Sequence, residues 1–360
     1  MSFEIKYLDL FSGIGGFRKA IELLSNDYDL HPKCLGFSEI DKYAIQSYKA
    51  NYITENELDL GDIISLSKNI QAINKIPSVD LIMGGFPCQS FSIMGKQKGF
   101  SDARGNLFFN IIDIAKLKKP KYILLENVKN LLTHDKGVTF ASMLDSLKEI
   151  GYKNIYYDIF DSQNFKLAQK RKRLYIFATL KDMNSDFLFT EKKILENFNC
   201  SIKKCSLFLQ KNILDVLSKK VDQKYYLSER IKPTILSDGS GGFRSKSEIN
   251  QMIARPLTAT MVKMHRACQD NYYSDDFINS AEPDITTDRV VSLNKLMQKK
   301  IRKLTPSEAL NLQGFDSEFY LRCKKNGLSD HQIYKQAGNA VSVNVVYAIL
   351  HYLFIKLSLR

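Results

Sequence analysis

The clearest chemistry in the sequence lies in Gly84-Gly85-Phe86-Pro87-Cys88-Gln89-Ser90-Phe91-Ser92. This segment follows Val79-Asp80-Leu81-Ile82-Met83, a short apolar run that reads as a buried strand. A cysteine in a loop restrained by glycine and proline is exposed and rigidly aimed, a placement that suits a thiolate nucleophile. Free cysteine is more often a small buried core residue, but the Gly, Pro, Gln and Ser around Cys88 count against a core position. Gln89 and Ser92 read either as phosphate or loop-closure contacts or as plain turn residues.

Other polar groups follow apolar runs in the same way. Asp9-Leu10-Phe11-Ser12-Gly13-Ile14-Gly15-Gly16-Phe17 puts glycines at a strand-to-helix turn, where the backbone can approach a ligand closely. Arg18 stands where the third glycine of a dinucleotide fingerprint would fall, so this turn alone leaves nucleotide and methyl-donor binding equally open. Glu39 is placed to accept both hydroxyls of a ribose, or is a solvated carboxylate. Asp62 is a candidate acceptor for an adenine amino group, although Asp after Gly more often marks a turn. Glu126 ends the run Tyr122-Ile123-Leu124-Leu125, and a carboxylate there also suits the start of a helix.

These groups need a scaffold that gathers them. The first 180 residues alternate strand-like runs at 7–11, 35–37, 79–83, 122–125 and 174–178 with helical spacings such as Phe17, Ala20, Ile21, Leu24. This predicts an α/β fold with a doubly wound, mostly parallel sheet. Ligands bind beyond the carboxyl ends of such strands, and the glycine turn, Glu39, Pro87-Cys88 and Glu126 all fall just after expected strands. From about 181 to 303 the pattern degrades into a Lys-rich, smaller and irregular domain. Order then returns. Thr305-Pro306-Ser307-Glu308 reads as a capped helix start, and Val345, Val346, Ile349, Leu350 and Leu353 predict a strongly amphipathic last helix. The expected division is a catalytic domain at 1–181, a second domain at 182–303, and a return at 304–360 that completes the first.

Composition narrows the partners. Lys and Arg number 52 against 39 Asp and Glu, a formal net charge of +13. The surplus suits a polyanion such as nucleic acid, and also an ordinary basic enzyme. Six scattered cysteines read as reduced and cytosolic, with no zinc or other metal site expected. No run of 18 apolar residues occurs and the first residues lack the apolar core of a signal peptide, so neither a membrane span nor a secreted fate is expected.

The Cys88 segment resembles the catalytic loop of the cytosine-5 DNA methyltransferase family, which carries Pro-Cys-Gln at this point. The family's other motifs follow in family order. Phe11-Ser12-Gly13-Ile14-Gly15-Gly16 resembles the methyl-donor turn, Glu126-Asn127-Val128 the Glu-Asn-Val motif, and Gln169-Lys170-Arg171-Lys172-Arg173 the Gln-x-Arg-x-Arg motif. Arg255-Pro256-Leu257-Thr258 resembles the segment after the target recognition region, and Gly338-Asn339-Ala340-Val341 the closing motif. The resemblance spans nearly the whole chain except its middle and is of the bacterial restriction-modification type.

What the resemblance implies is a DNA (cytosine-5-)-methyltransferase with the fold of the S-adenosylmethionine-dependent methyltransferases. Cys88 would add to carbon 6 of a cytosine flipped out of the duplex, so that carbon 5 can take the methyl group. Glu126 would hydrogen-bond or protonate ring nitrogen 3, holding a proton that burial in a closed site helps to retain. Arg173 would meet the base near its carbonyl oxygen and Arg171 would support the catalytic loop or backbone, the two pointing different ways. Phe11, Gly13, Ile14, Gly15, Glu39, Ile40, Asp62, Ile63, Leu107, Asn339 and Ala340 would surround S-adenosylmethionine. Ile40 departs from the aromatic that many relatives place against adenine and offers an apolar wall. Residues 90–104 would form a mobile lid. The middle of the chain would be the target recognition domain, with Gln89, Ser92, Arg244 and Arg266 on DNA, mostly at phosphates. The resemblance also implies a cytoplasmic, nucleoid-associated monomer acting on double-stranded DNA, with a restriction endonuclease as a genetic partner.

Three other readings share parts of this pattern. A tRNA cytosine-5 methyltransferase would use the same nucleophile motif, but the middle region lacks the Cys-Phe-Thr signature. A catalytically dead DNA-binding regulator would not need Cys88, Glu126 and Arg173 intact. A nicotinamide oxidoreductase fits the fold class but leaves the Cys88 loop unexplained.

Overall fold

The structure is a computed structural model and describes residues 3–87, 107–202, 205–238, 245–261, 263, 265–280 and 293–359. Cys88, Gln89, Ser92, Arg244 and the expected lid at 90–104 lie outside these residues. The chain divides into two compact units. The first comprises Met1–Asp161, Lys172–Ser206 and Val341–Arg360, and the second Ser162–Arg171 and Leu207–Ala340. The second unit therefore takes in 304–340, which the sequence pattern grouped with the C-terminal return.

The first unit is built on one sheet of β1 (Phe3–Leu10), β2 (Leu30–Ser38), β3 (Leu58–Asp59), β4 (Leu81–Gly85), β5 (Tyr122–Val128), β6 (Asn154–Asp161) and β7 (Lys172–Thr179). Their order is β3-β2-β1-β4-β5-β7-β6. The first five strands pair in parallel, and β7 runs antiparallel to both β5 and β6. The expected mostly parallel sheet is thus observed, with β7 alone reversed. The chain winds from β1 to β2 on one side and places β4 on the other. This reversal opens a crevice beyond the carboxyl ends of β1 and β4, where open α/β sheets bind ligands.

Helices α1 (Gly16–Asp27), α2 (Lys42–Asn51), α3 (Ile63–Lys68), α4 (Ile70–Lys75), α5 (Leu107–Lys118), α6 (Val138–Glu149) and α7 (Glu191–Ser201) accompany the sheet. On one face Leu8, Ile82, Leu125 and Ile176 pack with Phe108 and Ile111 of α5 and Met143 and Leu147 of α6. In β5 every residue from Tyr122 to Asn127 is buried, which is why a central strand covered on both faces reads as a continuous apolar run. The edge strand β6 is mostly half-buried and escapes pattern reading for that reason.

The second unit holds α8 (Lys232–Leu236), β8 (Tyr272–Ser274), α9 (Asp275–Asn279), α10 (Leu293–Gln298), β9 (Ile301–Lys303), α11 (Pro306–Asn311), α12 (Ser317–Lys325) and α13 (Asp330–Asn339). The strands β8 and β9 form an antiparallel pair, and Leu227, Ile235, Ile249, Tyr272 and Ile301 form a small core. The helix start at Thr305 is as expected. Its Oγ1 accepts the Glu308 N–H at 3.2 Å, and the Glu308 carboxylate accepts the Thr305 N–H at 2.7 Å, a reciprocal capping box.

The last helix corrects the sequence reading. Helix α14 (Val343–Leu350), in the first unit, is buried at every residue and continues as a π-helical turn, His351–Lys356. It packs between α1 and α7, while Tyr352 meets Phe187 and Phe354 meets Tyr122. A helix covered on all sides is apolar on all sides, so it is a core helix and not an amphipathic one. The stretch Asp330–Lys356 is apolar enough by length and composition to cross a membrane, but 89% of its apolar window is buried inside the protein.

Candidate active-site edge

At the end of β1 the chain turns into α1 through Phe11, Gly13 and Gly15, all with positive φ (53°, 55° and 81°). A side chain at Phe11 in this region costs of order 1–3 kcal/mol, a strain that clusters at functional turns. The two glycines serve different ends. A Cβ on Gly13 would meet nothing nearer than 4.0 Å, whereas one on Gly15 would lie 2.4 Å from the Tyr52 ring. The turn thus presents open space at Gly13 and close packing at Gly15. Ser12 N–H donates to the Ser38 carbonyl at 3.0 Å, tying the turn to the end of β2. Among the described residues the buried Ser12 Oγ has no hydrogen-bond partner.

Glu39 is not simply solvated. Its carboxylate accepts the N–H groups of Gly13 (2.9 Å), Ile40 (2.7 Å) and Asp41 (2.8 Å), which fixes it against the glycine turn. Next to it, Ile40 is 76% exposed, an uncovered apolar face. Asp62 caps α3, accepting from Ile64 N–H and Ser65 Oγ, each at 3.1 Å. The side chains of Ile14 and Ile63 are buried in packing, and Leu107 packs half-buried against the core at the first turn of α5. Below the turn, Asp9 is fully buried. One of its oxygens accepts from the Tyr48 hydroxyl at 3.4 Å and the other has no partner among the described residues. Burial pushes this carboxyl well above the usual range, partly offset by Arg18.

Glu126 lies inside β5, not after it as the sequence suggested. Antiparallel pairing with β7 extends the strand to Val128, with Glu126 opposite Tyr175 and Val128 opposite Arg173. On its other side Glu126 is level with Gly85, the last residue of β4. Arg173 and Glu126 are therefore diagonal neighbours on one face of an antiparallel pair, and Arg173 Nε meets Glu126 Oε1 at 3.0 Å. The glycine beside it leaves room for the carboxylate, since a Cβ on Gly85 would stand 3.3 Å from Glu126 Oε2, a tight contact. Asn127, buried, donates its Nδ2 to the Phe86 carbonyl at 2.8 Å. Phe86 is buried and Pro87 is exposed, so the chain leaves the core immediately before Cys88.

The Gln-x-Arg-x-Arg motif is shared between the units. Strand alternation would put residues two apart on one face. Arg171 and Arg173 part because Arg171 precedes β7. Arg171, buried in the second unit, donates to the carbonyls of Leu257 (2.9 Å), Gly338 (3.1 Å) and Ala340 (3.0 Å). Gln169 there accepts Leu257 N–H at 2.8 Å and donates to the Leu312 carbonyl at 3.0 Å. Asn339 is exposed at the end of α13 and Ala340 is buried. Arg266 is half-buried, its carbonyl accepting from Gln269 and Asp270 N–H.

Sequence reading missed the buried pair Arg302–Glu308 and the carboxylate of Asp270, which lines a small cavity with Leu257, Met261, Lys303, Leu304 and Tyr334. It also missed Tyr52, whose partner at Gly15 is 37 residues distant and leaves no local signal. Among the described residues no group of three or more His, Cys, Asp or Glu is placed to hold a metal ion.

The strand order and the reversed β7 define a doubly wound α/β fold that solved methyltransferases share. Solved structures share it: the chain superposes on the S. pombe Dnmt2 methyltransferase with a TM-score of 0.74 at 20% identity, covering 98% of this chain and 99% of that one. The sequence profile of the C-5 cytosine-specific DNA methylases matches residues 5–354. The type II methyltransferase M1.ScrFI of Lactococcus lactis subsp. cremoris is 36% identical, over 96% of this chain and 77% of the relative. The orphan methyltransferase M.SPRI of Bacillus phage SPR is 29% identical over 96% of each. The chain belongs to the C-5 cytosine-specific DNA methylase family.

Proposed function

We propose that the protein methylates carbon 5 of a cytosine extruded from duplex DNA, with S-adenosylmethionine as donor and Cys88 as nucleophile. The observation that carries this reading is the Glu126–Arg173 pair, level with the end of β4, the strand that leads through Phe86 and exposed Pro87 to Cys88. The Cys88 thiolate forms a bond to carbon 6 and pushes electron density toward ring nitrogen 3 and carbon 5. Glu126 stabilises nitrogen 3 by donating a proton or hydrogen bond, and Arg173 holds that carboxyl and faces the ring's carbonyl oxygen. Once carbon 5 carries the methyl group, loss of its proton and elimination of the thiolate release the product.

The glycine turn fits the methyl donor by its open face at Gly13, the unpartnered Ser12 Oγ and the carboxylate of Glu39 anchored beside it. When bound, S-adenosylmethionine supplies an electrophilic methyl group on a sulfonium. Ile40 offers an apolar wall for adenine. Phe11, Ile14, Gly15, Asp62, Ile63 and Leu107 shape the same pocket, much of it through backbone, with Asn339 and Ala340 assigned to it by family resemblance. Arg171 acts on the backbone it holds. We assign target recognition to the second unit, with Arg266 and the residues Gln89, Ser92 and Arg244 on DNA, and place the protein in the bacterial cytoplasm beside a restriction endonuclease partner.

Duplex DNA carrying 5-fluorocytosine is expected to form a denaturation-resistant adduct with the wild-type chain and none with Cys88→Ala. An active enzyme that gives no adduct would overturn the mechanism. Methyl transfer to tRNA in place of duplex DNA would overturn the substrate.

A further inference from the structure

Arg18 stands where a dinucleotide fingerprint has its third glycine, yet it is buried. Its guanidinium donates to Glu22 (2.8 Å), Glu57 (2.7 Å), the Tyr48 hydroxyl (3.2 Å) and the Ile53 carbonyl (2.9 Å). Planar and held at all three nitrogens, it forms a fixed plate 4.7 Å from the centroid of the Tyr52 ring. Tyr52 is pressed between this plate and the glycine turn. Its hydroxyl donates to the Gly15 carbonyl at 2.7 Å, and its ring leaves no room for a Cβ on Gly15. The same carbonyl accepts Lys19 N–H at 2.8 Å, at the start of α1. One helical turn earlier, Tyr48 stacks on Phe37 with ring centroids 4.5 Å apart. One assembly of side chains from α1 and α2 therefore touches both the turn after β1 and the strand that ends before Glu39.

We infer that Tyr52, held by Arg18, is a positioning residue for the methyl donor, an inference that rests on reading the glycine turn as the donor site. A turn rich in glycine has little conformational preference of its own, and ordering it at each binding event would weaken affinity. Tyr52 removes that freedom from outside the pocket. Its hydroxyl directs the Gly15 carbonyl away from the ligand side, so the planar peptide turns the Gly16 N–H the opposite way. Glu39, bonded to Gly13 N–H, fastens the other end. Tyr52 and Arg18 are both buried and act through the backbone without touching the donor.

Calorimetric titration with S-adenosylhomocysteine tests this on the full chain. Tyr52→Phe keeps the ring and loses only the hydroxyl. It is expected to weaken binding about five- to tenfold, the loss of one hydrogen bond. The KM for the donor should rise by the same factor, with kcat at saturating donor and the KM for DNA within about twofold. Arg18→Lys, which keeps the charge but not the planar fork, should weaken binding in the same direction. Unchanged affinity in a folded Tyr52→Phe variant overturns the inference, as does a lowered melting temperature with unchanged affinity. If the wild type takes up no S-adenosylhomocysteine, the donor-site reading itself falls and this one with it.

Discussion

Two arginine–glutamate pairs, one in each unit, have similar distances and opposite surroundings. In the second unit Arg302 and Glu308 side chains are each 1% exposed and meet through two hydrogen bonds of 2.9 Å. Glu308 also accepts Thr305 N–H (2.7 Å) and Ser218 N–H (2.7 Å), and Arg302 donates to the carbonyls of Lys303 and Ser218. In the first unit Arg173 and Glu126 side chains are 19% and 11% exposed and meet at 3.0 Å through Nε, level with the last paired residue of β4. A fully buried pair is tolerable when its remaining donors and acceptors are satisfied, and Arg302–Glu308 meets that condition by drawing in a helix cap and a loop. The pair in the first unit keeps both side chains partly exposed instead. The closed pair ties a strand to a helix start and a loop, and the open one is the pair to which we assign a part in the reaction.

The sharpest division should appear in Glu126→Gln. Methyl transfer is expected to fall by about 10²–10⁴-fold, the range for removing a general acid, while the melting temperature moves by no more than about 2–4 °C. Activity within tenfold of wild type would break the comparison at its reactive end. Glu308→Ala should do the reverse, costing about 3–5 kcal/mol by leaving a buried guanidinium uncompensated. The double replacement Arg302→Met with Glu308→Leu should recover most of that in urea unfolding. A double variant as unstable as the single one would show that the capping bonds, and not the uncompensated charge, dominate.

Asp270 sharpens the contrast as a buried carboxylate with no hydrogen-bond partner on one oxygen among the described residues. Burial pushes it up to about 7, against a lowering by the His265 backbone N–H. Its folded-state value lies above the unfolded one of about 3.9, so the native state binds more protons in between, and stability falls as pH rises from 4 to 7. Asp270→Asn should remove that slope, gaining on the wild type across this window and holding a constant advantage above it. Parallel curves for the two proteins would show that the site is solvated. The smallest effect belongs to the rim pair. A double-mutant cycle on Arg173 and Glu126 should give a coupling of about 0–1 kcal/mol in stability, as for partly exposed pairs, alongside strong coupling in kcat.

Much of the first unit was legible because hydrophobic pattern reports burial. The runs at Leu81-Ile82-Met83 and Tyr122-Ile123-Leu124-Leu125 became central strands, and in the second unit Thr305 became a helix cap. Pattern failed where burial and apolarity come apart. Edge strand β6 is half-exposed and shows no clean alternation, and α14 is buried on every side although its spacing suggested one wet face. Both need the neighbours to be known.

The order of residue types along the chain determined the chemistry on offer: a thiol in a restrained loop, an acid after a buried run, glycines where a strand meets a helix. Only the tertiary structure decided which groups meet. The partner of Glu126 follows from the antiparallel register of β5 on β7, and that of Gly15 from a tyrosine at the far end of α2. Local sequence encodes which face of an element is covered, whereas the pairing of distant side chains is set by how those covered faces pack together.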